Sequence, residues 1–284
     1  VCQENRPRDK SEGAATVITS TTNQLVQMVR SLHQKKGRLE HQLYLAEGIH
    51  LVAEALRAKA DIRQYFWTER LGTTPEGREL LRQLVAAQVE GVAVNETVMA
   101  KLGETETPQG IIALIAIPPE PVLDLTATKL GLIVDGLQDP GNVGTIIRTA
   151  WAAGLDCLIF TAGTADPFQG KVVRATMGGI FHQRIHRALS PELIATAAQK
   201  AGLQIIAGAL GANRSYFTVA MTAPTLLLVG NEGKGVAPEW DAYASHKVFI
   251  PQPGNAESLN VAVSAGILVY EALRQRLDSG STRL

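Results

Sequence analysis

A guanidinium just inside a helix that starts from a Gly/Pro/Asn loop makes a site for an anionic partner, and this chain carries one. Apolar residues 132–134 run into Asp135-Gly136-Leu137-Gln138-Asp139-Pro140-Gly141-Asn142-Val143-Gly144, after which the pattern turns helical and carries Arg148. Asn142 is a suitable N-cap there, Gly144 leaves room for another backbone, and Arg148 lies about one and a half turns in. A second loop, Gly230-Asn231-Glu232-Gly233-Lys234-Gly235, follows the apolar run 226–229 and adds a carboxylate. A third leads from residues 248–250 through Gln252-Pro253-Gly254-Asn255-Ala256-Glu257 into Ser258-Leu259-Asn260-Val261, where Ser258 or Asn255 would cap a long helix rich in small residues.

Each loop ends an apolar strand, and in open α/β sheets ligands bind in the crevice beyond the strand carboxyl ends. The three loops are therefore expected to converge. The region 122–284 alternates strands, at 132–134, 157–160, 184–186, 204–207, 226–229 and 248–250, with helices up to 153, near 171–177, at 191–201 and up to 277. That alternation predicts an α/β fold with a parallel sheet and helices on both faces. Upstream, helical patterns at 23–30, around Ile49 to Leu56 and at 77–87 sit among strands at 62–67, 92–94 and 111–117, which predicts a small α/β sandwich over 21–117. Residues 1–20 read as a loose leader, and Pro118-Pro119-Glu120-Pro121 as a stiff linker, since proline cannot continue a sheet interior.

With 284 residues, 45% of them apolar and 19% charged, the chain is long enough for about two globular domains. No apolar run approaches the ~18 residues of a membrane helix, and the N-terminus lacks a signal-peptide core, so no membrane partner and a cytoplasmic location are expected. Cys2 and Cys157 stand far apart with no metal-ligand spacing, so neither a disulfide framework nor a metal site is expected. Formal net charge is zero, and residues 22–117 and 118–284 are each balanced, so any RNA contact must use local patches. Two runs qualify: Arg30, Lys35, Lys36 and Arg38 with His33, and Lys171, Arg174, Arg184 and Arg187 with His182 and His186. Aromatic residues are only 5% of the chain, which disfavours a platform for long single strands and favours a folded RNA hairpin with one nucleotide splayed out.

Asn142-x-Gly144-x-x-x-Arg148, Gly230-Asn231-Glu232-Gly233 and Ser258-Leu259-Asn260-Val261 resemble, in order and spacing, the three motifs of the SpoU (TrmH) RNA ribose 2'-O-methyltransferases of the SPOUT class, over about residues 122–278. A weaker resemblance joins Arg30-Ser31-Leu32, Lys35-Lys36-Gly37-Arg38 and Leu45-Ala46-Glu47-Gly48 to the RNA-substrate-binding domain that precedes many rRNA-type members. The resemblance implies S-adenosylmethionine as cofactor, ribosomal RNA as substrate, a homodimer, and a C-terminal trefoil knot that ordinary connection rules would forbid. It also implies a cofactor slot at Gly230, Ile250 and Leu259, with Ser258 and Asn255 beside it. Asn142, Arg148, Glu232 and Asn260 would form the catalytic group, and Arg30, Lys35, Lys36, Arg38, Lys171 and Arg174 would meet RNA. The last helix, over 261–273, is apolar on more than one face, as a dimer would require.

A guanidinium stays protonated in almost any protein setting, so phosphate is the physically better task for Arg148. Removal of the hydroxyl proton by Arg148, with Glu232 orienting it, stays open as the family alternative. A tRNA ribose methyltransferase and a non-catalytic RNA-binding assembly factor are the rival functions. A P-loop reading of Gly230 to Lys234 fails because Gly235 stands where Ser or Thr is needed, and the glycine spacing after 132–134 is not that of a dinucleotide fold.

Overall fold

In the computed structural model, which describes residues 17–254 and 257–280, backbone pairing sorts the chain into two sheets. The leader thus lies mostly outside the described residues, as does Cys2. Its last residues are held, however: Ile18 bridges Val94 and donates its N–H to Ala93.

Helix α1 (Gln24–Ser31) starts at Asn23, whose side chain accepts from Leu25 N–H, and leads at once into α2 (Lys35–His41) and strand β1 (Leu43–Glu47). Then come α3 (Ile49–Arg57), β2 (Ile62–Trp67), α4 (Pro75–Ala86), β3 (Gly91–Ala93), α5 (Glu96–Leu102) and β4 (Ile111–Ala116). The strands pair in the order β1-β4-β2-β3, with β4 antiparallel to both neighbours and β2 parallel to β3. Because successive strand residues face opposite sides, Ile111, Ala113 and Ile115 of β4 pack toward α3 and α4. Ile112 and Leu114 pack toward α1 and α5. The sheet is thereby covered on both faces. Helix α4 begins two residues before the expected Gly77, since Thr74 accepts from Gly77 N–H and Pro75 suits the first helical position.

The second sheet is built from β5 (Leu130–Val134), β6 (Cys157–Thr161), β7 (Ile185–Leu189), β8 (Gln204–Gly208), β9 (Arg214–Ser215), β10 (Thr225–Val229) and β11 (His246–Phe249). Their order is β7-β6-β5-β10-β8-β11-β9 and every pairing is parallel. Strands β5, β6 and β10 are buried along their whole length, which explains their unbroken apolar sequences. Helices α6 (Pro140–Ala152), α7 (Gly170–Ala175) and α9 (Val261–Asp278) cover one face. The other face carries α8 (Pro191–Lys200) and the buried Trp240. A side chain at Gly144 would strike Ala175 Cβ and come within 2.8 Å of Val172 O, so this glycine is what lets α7 lie against α6.

The sheets do not meet at a bare linker. One apolar cluster runs from α3 and α4 through to α6 and α7, and the rings of Tyr44 and Phe168 pack 4.9 Å apart across the junction. Burial pushes the Tyr44 hydroxyl far above its usual value. The Pro-rich segment 118–121 is pinned to β7, where Glu120 accepts from Arg187 Nε at 2.7 Å, and just beyond it Val122 O accepts from Arg184.

Candidate active site

At the carboxyl end of β5, the buried Asp135 accepts from Thr161 Oγ1 at 2.8 Å and from Ala237 N–H at 2.9 Å. Asn231 Nδ2 donates to Gly136 O at 2.9 Å, while its Oδ1 accepts from Gly233 and Lys234 N–H. These bonds fold residues 230–237 back against the end of β5. The turn is so tight that a side chain at Gly230 would collide with the backbone of Gly235, itself at φ +71.

Two expected caps are replaced, with consequences for the site. Helix α6 is capped by Asp139, whose Oδ1 accepts from Asn142 N–H at 2.8 Å, because Asp139 directly precedes a proline fitted to the first helical position. Asn142 is therefore a first-turn residue whose side chain is free to do something else. Helix α9 is capped by Asn260, which accepts from Ala262 and Val263 N–H, so Ser258 is not the cap. Asn255 lies outside the described residues.

Freed in this way, Asn142 links three loops. Its Nδ2 donates to Glu232 Oε1 at 3.0 Å, and its Oδ1 accepts from Asn260 Nδ2 at 2.9 Å. Since Asn260 Oδ1 is committed to helix N–H donors, both amide orientations follow from the network. Arg148 is exposed and makes no hydrogen bond or ion pair among the described residues. It stands six residues beyond Asn142, about 9 Å along the helix axis. The expectation that Glu232 orients Arg148 is not met: the Glu232 oxygen in use is taken by an amide. Arg148 keeps its whole donor fork for an external anion.

Beside this network lies a cavity of about 450 Å³ at the ends of β8, β10 and β11, within the range of small-molecule sites. Gly230, Glu232, Ile250, Ser258 and Leu259 line it. Asn142, Arg148 and Asn260 stand outside, so Glu232 alone belongs to both the cavity and the amide chain. Gln252 also lines the cavity, and its Oε1 is buried with no partner among the described residues, an acceptor that a ligand N–H would satisfy. Gly208, Ala209 and Leu210 form a further wall. They were missed in the sequence, although Gly208-Ala209-Leu210-Gly211 ends a strand just as the other loops do. No group of His, Cys, Asp or Glu arranged to hold a metal ion occurs among the described residues, and no helix there is long and apolar enough to cross a membrane.

The expected RNA ligands divide. Arg30, Lys35, Lys36 and Lys171 are exposed. Arg38 is not, being 3% exposed: its Nε and Nη2 grip Asp166 Oδ2 at 3.0 and 2.7 Å while Nη1 donates to the carbonyls of Leu32 and His33. Arg174 is likewise committed, with Nη1 2.8 Å from Glu104 and 3.8 Å from Glu47. Burial alone would raise the Glu104 carboxyl, but the bond and charge of Arg174 and the neighbouring His33 hold it below its usual value. Arg38 is thereby closed to phosphate, while Arg174 stays part-exposed with Nη1 paired, and each fastens the junction between the sheets.

Residues 129–270 match the SpoU rRNA Methylase family, and residues 23–113 match the MRM3-like substrate binding domain. The 23S rRNA (guanosine(2553)-2'-O)-methyltransferase RlmP of Bacillus subtilis (strain 168) is 36% identical over 253 residues, covering 89% of this chain and 97% of that protein. An AdoMet-bound rRNA methyltransferase from Sinorhizobium meliloti superposes with a TM-score of 0.82 at 35% identity, covering 91% of this chain and 97% of the other. The SpoU methyltransferase AviRb from Streptomyces viridochromogenes, in complex with AdoMet, gives 0.82 at 29% identity, with 90% and 98% covered.

Proposed function

The chain belongs to the SpoU rRNA Methylase family, and we propose that it methylates a ribose 2'-hydroxyl of ribosomal RNA with S-adenosylmethionine, using the crevice at the ends of β5, β10 and β11. One observation carries the residue assignment. Glu232 is shared between a cofactor-sized cavity and the amide chain that joins α6 to the start of α9.

S-adenosylmethionine, when bound, supplies an electrophilic methyl group. Gly230, Ile250, Ser258 and Leu259 would hold it, with the unpartnered Gln252 Oε1 as an acceptor. Arg148 grips the phosphate next to the target ribose, orients the hydroxyl and steadies the negative charge that develops on its oxygen. As a guanidinium it keeps its own proton. Asn142, itself held by Asn260, holds Glu232 in place through Oε1, leaving Oε2 able to accept a hydrogen bond from the ribose.

The division we propose puts a substrate-binding unit over 21–117, a linker over 118–121 and the catalytic unit over 122–284, acting in the cytoplasm where ribosomal RNA is met. The finer architecture belongs to the same reading. A trefoil knot at the C-terminus is supported by the way residues 230–237 fold back on Gly136 while the start of α9 bonds across to Asn142. A homodimer is supported by Val263 and Tyr270, about half exposed and seven residues apart on α9.

The test uses the full chain. Calorimetry should show S-adenosylmethionine binding to wild type, Arg148→Lys and Arg148→Ala alike. Methyl transfer to ribosomal RNA should fall ~10²-fold or more in Arg148→Lys, which keeps the charge but loses the fork, and further in Arg148→Ala. Absence of cofactor binding would favour the assembly-factor reading, and a fully active Arg148→Ala would remove Arg148 from the site.

A further inference from the structure

Trp151 is three residues past Arg148 on α6, so the two side chains leave neighbouring positions of one helix face, with Cβ atoms about 5–6 Å apart. Its indole is 37% exposed. One ring face is covered by His182, stacked 4.5 Å away and within 3° of parallel. His182 is held in turn by the first domain, its Nε2 2.8 Å from Glu54 Oε1 on α3, and Glu54 is itself braced by Arg57 at 2.6 Å. The turn that carries His182 has no slack. A side chain at Gly178 would collide with Glu54, and one at Gly179 would come within 3.4 Å of Arg148 Cα.

We propose that the Trp151–His182 stack is a stacking platform for one RNA base of a nucleotide adjoining the ribose held at Arg148. This rests on the methyltransferase reading above and names a subsite within it. A flat aromatic face accepts any base, and one fixed beforehand from both domains loses little freedom when a base settles on it. The surroundings fit a nucleotide better than a second copy of this chain. His182 covers one face of the indole and Arg148 leaves the same helix face three residues earlier, whereas α9 exposes Val263 and Tyr270, the pair offered above for self-association. A single platform also agrees with the low aromatic content, 5% of the chain.

The experiment follows tryptophan emission and affinity of the full-length protein with a ten-nucleotide oligoadenylate, and with inorganic polyphosphate as the charge control. Oligoadenylate should quench wild-type emission and polyphosphate should not. Trp151→Ala should lose that quenching and bind the oligonucleotide about 5- to 100-fold more weakly, the range for removing one stacked aromatic, with S-adenosylmethionine affinity unchanged. Trp151→Phe should recover most of the affinity, since a benzene ring still offers a face. Wild-type RNA affinity in Trp151→Ala overturns the proposal. So does a change of mass by light scattering with RNA affinity unaltered, which would give the surface to a second copy. The two readings fail separately: a wild-type protein that binds cofactor and methylates ribosomal RNA, yet is indifferent to Trp151, leaves the function standing and removes only the platform.

Discussion

The two basic runs look alike in sequence and end in opposite states. In the first, Arg30, Lys35 and Lys36 remain exposed and only Arg38 is withdrawn, to Asp166, 128 residues away. In the second almost every cation is paired. Arg174 goes to Glu104, Arg184 to the Val122 carbonyl, Arg187 to Glu120 and His182 to Glu54, while His186 is buried. His182 and Arg184 are exposed although paired, and of the exposed members Lys171 alone has no side-chain hydrogen bond or ion pair among the described residues. A run of cations thus reports positive charge along the chain, and acids brought from elsewhere decide whether any of it reaches a ligand. The second run is mainly the fastening between the domains and of the linker to β7.

The sharpest test of that contrast is Arg38→Ala. It strands Asp166, the buried Leu32 carbonyl and the part-buried His33 carbonyl, and should lower unfolding free energy in urea by about 3–5 kcal/mol. A free phosphate ligand would leave the midpoint where it was.

A smaller effect belongs to His186. Burial, then the charge of Arg184, holds its pKa below the ordinary value near 6.5, with Glu120 opposing. The unfolded chain therefore takes up the proton first as pH falls. The stability contributed by neutral His186 is complete above about pH 6.5 and declines from there toward the lower folded value. Melting temperatures of wild type and His186→Leu between pH 7.5 and about 5 should show a shallower acid loss in the variant. Equal slopes would mean that His186 does not titrate as a buried neutral group.

Least disturbed should be Lys35→Ala with Lys36→Ala, whose stability should stay within about 0.5 kcal/mol of wild type. Their effect belongs to RNA, as a salt dependence of binding flatter by about 0.7–0.9 for each phosphate no longer neutralised. Unchanged salt dependence would show that the exposed run is as idle as the paired one.

Much of the site was legible for the same reason that the strands were. The loops were expected at strand ends because a buried apolar run followed by a Gly/Pro/Asn loop marks a strand terminus, and Gly230, Ile250, Ser258 and Leu259, which the family resemblance implied for the cofactor, do line one cavity there. The end of β8 obeys the same rule, and weaker polarity in Ala209-Leu210-Gly211 hid it. Strand β1 and helices α2 and α5 were not singled out either. The caps were assigned to the wrong residues because Asp139, Asn142, Ser258 and Asn260 are all competent acceptors within a few positions of a helix start.

The sequence by itself determined what neighbours within a few residues can satisfy: where apolar runs form strands, where helices begin within two or three positions, and which loops carry polar groups. Only the tertiary structure decided how those groups pair. Asn142 meets Glu232 and Asn260 from 90 and 118 residues away, Arg38 and Arg174 are spent on the domain junction, Arg148 is left with no side-chain partner among the described residues, and Trp151 lies flat on His182. The physical reason is one of range. Backbone hydrogen bonds within a helix or turn are closed by residues nearby in the chain, while a buried charge or amide must take whatever partner the packing of distant elements brings within about 3 Å.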